Sequence, residues 1–309
     1  MNIYKQKNIT CFLFFIIVSL QTVAQEAVNL KSIKKEIGKP DKLLATEFAA
    51  TKLIPAEILI MRQFECRDSL GFYSPEKIST DSFYISAYEV TNMQYRQFLE
   101  YVQDSIVRKL IGYVKEDKDG NECLDLSKKI DIKKIRKHIE FTGHGPFTPM
   151  FTDTNGIILF KPRYLVYTYR SGEKRIQISV MPGMEGLMGV HPYSYKEPGF
   201  NNYLYHHAFD NYPVTGVIFL QAKAYCHWKT QQLKNALGNS SKFDIIFSLP
   251  TKPQWEAAAV SGLLPDNNST LNNRQCLLEN ENQGNTNTKN GINEAIGFRY
   301  VVSFKRKAE

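Results

Sequence analysis

The 309-residue chain sets 39 Lys and Arg against 31 Asp and Glu, a net charge of +8, with 43% hydrophobic and 12% aromatic residues. It is long enough for one large domain or two small ones, and ordinary enough in apolar content to bury a core, which excludes a disordered chain. Its lysines are interleaved with acidic residues, and no reader motif or aromatic stacking platform accompanies them, so the basic surplus excludes a nucleic-acid stripe as the first reading.

The first segment reads as a leader. Lys5 and Lys7 precede an apolar run from Cys11 to Leu20, and Thr22-Val23-Ala24 supplies small residues for cleavage. The expectation is a signal peptide over residues 1–24, a lead segment over 25–46, and one domain over 47–309. Subtracting Lys5 and Lys7 from +8 leaves +6 for the mature chain. The run is short for a bilayer span, and Cys11 opens the apolar core instead of following it, so no lipid-anchor cysteine and no membrane anchor after cleavage are expected. That predicts a periplasmic or secreted protein.

In chain order, "ATKLIPAEILIMR" and "DSFYISAYEV" read as strands of an N-terminal sheet. "TNMQYRQFLEYVQDSIVRKLIGYV" then opens a helix. Thr91 and Gln94 form a capping-box pair, and Tyr95, Phe98, Val102, Ile106 and Leu110 follow at helical spacing. In "LSKKIDIKKIRKHIE" the runs Lys128-Lys129, Lys133-Lys134 and Arg136-Lys137 are broken by Ile130, Ile132 and Ile135, the pattern of a solvated amphipathic face. "LQAKAYCHWKTQQLKNALG" predicts a second helix with Ala222, Tyr225, Cys226, Leu233 and Leu237 on one side and a stop at Gly238.

"KFDIIFSLP" is a short strand, and "TKPQWEAAA" a third helix capped by Thr251, with Gln254 reciprocal, Pro253 in the first turn, and Trp255, Ala258 and Ala259 facing inward. Residues 263 to 293, rich in Asn, Thr and Gly, read as loop. Four cysteines follow the leader: Cys66, Cys123, Cys226 and Cys276. Their scatter is no disulfide framework, and without a CxxC pair the usual zinc-ribbon and thioredoxin readings fall away.

Five phrases, in order, resemble the formylglycine-generating-enzyme-like domain, also called the sulfatase-modifying factor domain. They are "LIPAEILIM", "FYISAYEVTNMQYRQFLEYV", "YPVTGVIFLQAKAYCHW", "FSLPTKPQWEAAA" and "GFRYV". The residues that carry the match are Glu89, Thr91, Asn92, Pro213, Val214, Tyr225, Trp228, Leu249, Pro250, Thr251, Trp255, Gly297, Phe298 and Arg299. The resemblance implies an α+β fold of the formylglycine-generating-enzyme or C-type-lectin-like kind, with modest regular secondary structure.

A narrower resemblance, carried by Tyr95 to Ile111 and Tyr193 to Val217, is to the K-type lipoproteins of gliding motility and type IX secretion. It implies a family insert at about 101–199 and a structural role beside periplasmic secretion-ring or motility components. The partners expected are other proteins. Tyr164, Tyr167, Tyr169, Tyr193 and Tyr195 in the insert are either anchors for such a partner or cover for the domain's own core.

The enzymes of the family oxidise a protein cysteine to formylglycine with two cysteines that hold copper, and calcium supports their fold. Soft thiolates suit Cu(I). Between Ala259 and Gly297 this sequence lacks the family's Gly-Asn-Val-x-Glu-Trp and Arg-Gly-Gly-Ser-x segments and its cysteine pair, and Cys276 stands there alone. The expectation is therefore a chain with no catalytic residues, a shortened C-terminal part and no required cofactor. Cys226 and Cys276 are left open as a disulfide or two thiols, with a copper dithiolate the least favoured pairing.

In "QCLLENENQGN" only Asn280 matches the family's calcium stretch, and a solvated polar loop outweighs a calcium role there. His138, Glu140 and His144 lie close together, but Gly143 and Gly145 break the helix a metal pair would need. His206 and His207 favour a turn or packing role. Ser248 and Lys252 stand where the family phrase has Arg and Glu, and Gln221 and Phe219 where relatives often have an acid and Trp. The leading expectation is an exported non-catalytic scaffold; a copper-dependent cysteine oxidase and a truncated remnant are the alternatives.

Overall fold

The computed structural model of the protein describes residues 50–67, 70–116, 122–131, 133, 135, 150–154, 157–183, 203–237, 243–261 and 297–306. In chain order the elements are β1 (Thr51–Ile54), β2 (Glu57–Arg67), β3 (Leu70–Thr80), β4 (Phe83–Ser86), α1 (Asn92–Leu110), β5 (Val114–Glu116), β6 (Glu122–Leu124), β7 (Phe151–Thr154) and β8 (Ile157–Phe160). They continue with β9 (Val166–Ser171), β10 (Lys174–Ser179), α2 (Phe219–Leu237), β11 (Phe243–Ser248), α3 (Lys252–Val260) and β12 (Val301–Arg306). This is an α+β chain with modest regular secondary structure. None of its described helices is long and apolar enough to cross a membrane.

The chain divides into two units. The first takes the described residues of Met1–Glu89, Cys226–Asn282 and Arg299–Glu309. Its four-stranded antiparallel sheet runs β1-β4-β12-β11, with Ile54 opposite Phe83, Val301 opposite Ile85 and Phe247 opposite Val302. All four residues of β4, Ser86 included, are buried, so this strand is covered on both faces instead of alternating between core and solvent. Ile54, Phe83, Ile85 and Val301 pack with Ala257 and Ala258 of α3, and Trp255 lies against them.

Two expectations are corrected in this unit. The segment read as one strand over "ATKLIPAEILIMR" is broken at Pro55, which has no amide hydrogen for a ladder. β1 enters the four-stranded sheet, and β2 pairs with β3 in a separate antiparallel hairpin. In α3 it is Ala257 and Ala258 that are buried, while Ala259 is exposed. The inward stripe runs through positions three and four residues after the half-buried Gln254, and Ala259 falls beyond its edge.

The second unit takes the described residues of Val90–Tyr225 and Gln283–Phe298. α1 carries both halves of its capping box: the Thr91 hydroxyl accepts from the Gln94 amide at 3.3 Å, and the Thr91 amide donates to Gln94 Oε1 at 3.0 Å. Tyr95, Phe98, Leu99 and Val102 are buried as the spacing predicts. Toward the end of the helix Val107 and Arg108 are buried, whereas Ile106 and Leu110 are half-buried. The cause is the segment after β6, which lies on that side: Arg108 donates to the carbonyls of Asp125 at 2.8 Å and Lys128 at 2.6 Å, and from Nε to Asp104 at 2.6 Å.

The unit also holds three separate two-stranded antiparallel ladders, β5-β6, β7-β8 and β9-β10. Lys128, Lys129 and Lys133 are exposed and Ile130 and Ile135 half-buried, as an amphipathic, solvated segment requires. α2 buries Ala222, Tyr225, Cys226 and Leu233 on the side expected.

Candidate functional site

The motif residues of the first unit meet around Arg299. This side chain is 4% exposed and donates from Nη1 to the carbonyl of Ser86 at 3.1 Å and to that of Ala87, both at the end of β4. Its guanidinium lies over the Trp255 ring, 6.0 Å from the centroid. Glu89 belongs to the same neighbourhood: burial pushes its carboxyl up from the ordinary range, and the Arg299 charge, a smaller influence, pulls it back down. Three phrases far apart in sequence thus supply one acid, one base and one aromatic face.

Most of the remaining first-unit positions are buried as well. Leu249 and Pro250 are buried, and Thr251 caps α3 by accepting from the Gln254 amide at 3.4 Å while its own amide donates to Gln254 Oε1 at 2.9 Å. Cys226 and Trp228 are buried, and Lys229, 8% exposed, stands over the rings of Phe247 and Tyr300 at 5.6 and 5.1 Å. Ser248 is half-buried and Lys252 exposed.

In the second unit the phrases are joined by backbone bridges. Thr91 pairs with Pro213 in an isolated antiparallel bridge, the Val214 amide donates to Val90 at 2.8 Å, and the Val90 amide donates to Phe298 at 2.9 Å. Asn92 is fully buried: its amide nitrogen donates to the carbonyls of Phe209 at 2.9 Å and Tyr203 at 3.4 Å, while Oδ1 meets no partner among the described residues. Tyr225 stacks on Tyr95 at 5.9 Å and meets Phe298 edge-on at 5.4 Å. Gly297, beside Phe298, is buried. Burial raises the Tyr95 phenol, whose hydroxyl donates to the Val180 carbonyl at 2.8 Å.

The insert tyrosines divide. Tyr169 is buried, and Tyr167 stacks on it at 5.9 Å and meets Phe98 edge-on at 5.3 Å, so both cover the unit's own core. Tyr164 is half-buried under Arg163, 5.0 Å from its ring. His206 has the turn role expected, its ring accepting from the Ala208 amide at 3.2 Å. His207 lies 3.3 Å from Asp210, whose carboxyl is held below its ordinary value first by the hydrogen bond from Arg96.

Gln221 is a residue whose role the sequence did not expose. Buried at the start of α2, it donates to the carbonyls of Ser179 at 2.9 Å and Met181 at 2.8 Å and accepts from the Ile218 amide at 3.0 Å. An ionised carboxylate, which only accepts, would repel both carbonyls. Only long-range neighbours reveal this use. Arg108 was missed for the same reason.

Asn280, Cys276, His138, Glu140, His144, Tyr193 and Tyr195 lie outside the described residues. Among the described residues no group of three or more His, Cys, Asp or Glu is placed to hold a metal. Cys226, at 2% exposure, faces core rather than a cleft.

A family model, that of the sulfatase-modifying factor enzyme 1-like domain, matches residues 45–289. No curated protein matches the chain.

Proposed function

The chain belongs to the sulfatase-modifying factor enzyme 1-like domain family, and from that premise we propose that it is an exported, non-catalytic member acting as a structural or protein-binding component of a gliding-motility or type IX secretion apparatus. The observation that carries this reading is the use to which the motif residues are put. Thr91 and Thr251 cap helices, Asn92 and Arg299 tie backbone carbonyls together, and Tyr225, Phe298 and Leu249 fill cores. Such residues hold a shape; they do not surround a reacting atom. The stretch from 260 to 296 contains a single cysteine, Cys276, where the enzymes need a pair.

The periplasmic setting follows from the leader-like segment over residues 1–24, and the apparatus from the resemblance in Tyr95 to Ile111 and Tyr193 to Val217. The test is chemical cross-linking in living cells on the full chain carrying a C-terminal tag. Recovery of secretion-ring or motility components supports the assignment, and a protein linked to nothing overturns it. In parallel, Cu(I) titration of the purified chain should show no two-thiol site; stoichiometric binding lost in Cys226→Ser and in Cys276→Ser would restore the oxidase.

A further inference from the structure

We propose that the solvent face of the β9-β10 hairpin is a docking surface for an acidic, extended polypeptide segment of a partner protein. This rests on the protein-binding reading above and names the surface and the chemistry of the partner. The antiparallel register sets Val166 opposite Ser179, Thr168 opposite Gln177, and Arg170 opposite Arg175. All six residues are exposed. The alternate positions Tyr167, Tyr169, Ile176 and Ile178 are buried or half-buried, so the strand period places the aromatic residues on one face and the two arginines on the other.

A pair of guanidinium groups directly across a ladder repel each other. Among the described residues neither Arg170 nor Arg175 forms an ion pair. Residues 161 to 183 carry Lys161, Arg163, Arg170, Lys174 and Arg175 against a single acid, Glu173. Two facing planar forks suit carboxylates that arrive together, since each can take one in bidentate fashion.

The other anionic macromolecules fit less well. The face offers no aromatic ring for a base to stack on, because Tyr167 turns the other way against Phe98 and Tyr169 stacks on Tyr167. Only Val166, at 39% exposure, could enter a lipid surface, which is far less than an interfacial anchor uses. An extended acidic segment also finds open backbone: among the described residues, β9 and β10 pair only with each other.

The test uses the full mature chain and a fluorescent glutamate-rich decapeptide, with a serine-glycine decapeptide, a single-stranded oligonucleotide and phosphatidylglycerol vesicles as comparisons. The wild type should bind the acidic peptide in preference to all three, and more weakly as salt rises. Arg170→Thr/Arg175→Thr should weaken it at least about tenfold, with the melting temperature unchanged or raised. Lys129→Thr/Lys133→Thr, which removes the same charge from an exposed segment elsewhere, should leave it unchanged. Equal weakening in both variants, or tighter binding of oligonucleotide or vesicle, overturns the assignment. In-cell cross-linking separates the two levels: partners retained by Arg170→Thr/Arg175→Thr would remove the hairpin from the interface, whereas a wild type that links to no protein would remove the protein-binding reading itself.

Discussion

The guanidinium of Arg299 lies over the ring of Trp255, 6.0 Å from its centroid, and so joins the closing Gly-Phe-Arg phrase to the Trp-Glu helix. Replacing Arg299 by Ala would leave the Ser86 and Ala87 carbonyls without their donor and Glu89 without its nearby cation. The expected loss is about 3 kcal/mol, with Lys intermediate because it lacks the planar fork. Urea unfolding of the three proteins measures it, and equal stability of Arg299→Ala and wild type would contradict the bridging role.

Glu89 sets a pH dependence of defined sign. Its carboxyl holds a proton more tightly in the folded chain than at the ordinary value of 4.5, so the folded state binds more protons across the interval above 4.5. The contribution is full below 4.5 and is lost as pH rises through the raised folded value. Glu89→Gln should therefore gain on the wild type as pH climbs from 4 to 7. Melting curves across that range decide it, and a wild type that gains on the variant instead would reverse the assignment.

The two capping boxes should each be worth about 1 kcal/mol. Thr91→Ala and Thr251→Ala both delete a hydroxyl that accepts from the amide three residues on. Serine should restore most of the loss at either site, since it keeps the oxygen. Denaturant midpoints of the four variants provide the comparison.

Two glycines with positive φ should respond differently to alanine. Gly172, at φ 61°, turns the β9-β10 hairpin with open space around an added Cβ, so Gly172→Ala carries only the left-handed strain of about 1 kcal/mol. At Gly216, φ 73°, a Cβ would stand 1.7 Å from the Gly183 carbonyl oxygen, and the Gly183 amide donates to Gly216 at 2.8 Å. Gly216→Ala must separate those two strands of backbone, and should lose at least about 2 kcal/mol more than Gly172→Ala in the same unfolding assay.

Local chemistry was legible wherever a residue's partner lies within a few positions of it. Thr91 with Gln94 and Thr251 with Gln254 announce their helices because a capping box closes within one turn, and Tyr95, Phe98 and Val102 announce a buried stripe because the helical period is fixed by backbone geometry. The order of motif phrases likewise marked the family. What only the tertiary structure decided are relations between distant segments: that Pro55 hands the chain from one sheet to a separate hairpin, that Arg299 serves β4 and Trp255, and that Gln221 faces two carbonyls. It also assigned Tyr167 and Tyr169 to the core and left Arg170 and Arg175 outside. A strand's alternation states that its two faces differ, but which face is covered depends on what packs against it, and that is set by residues elsewhere in the chain.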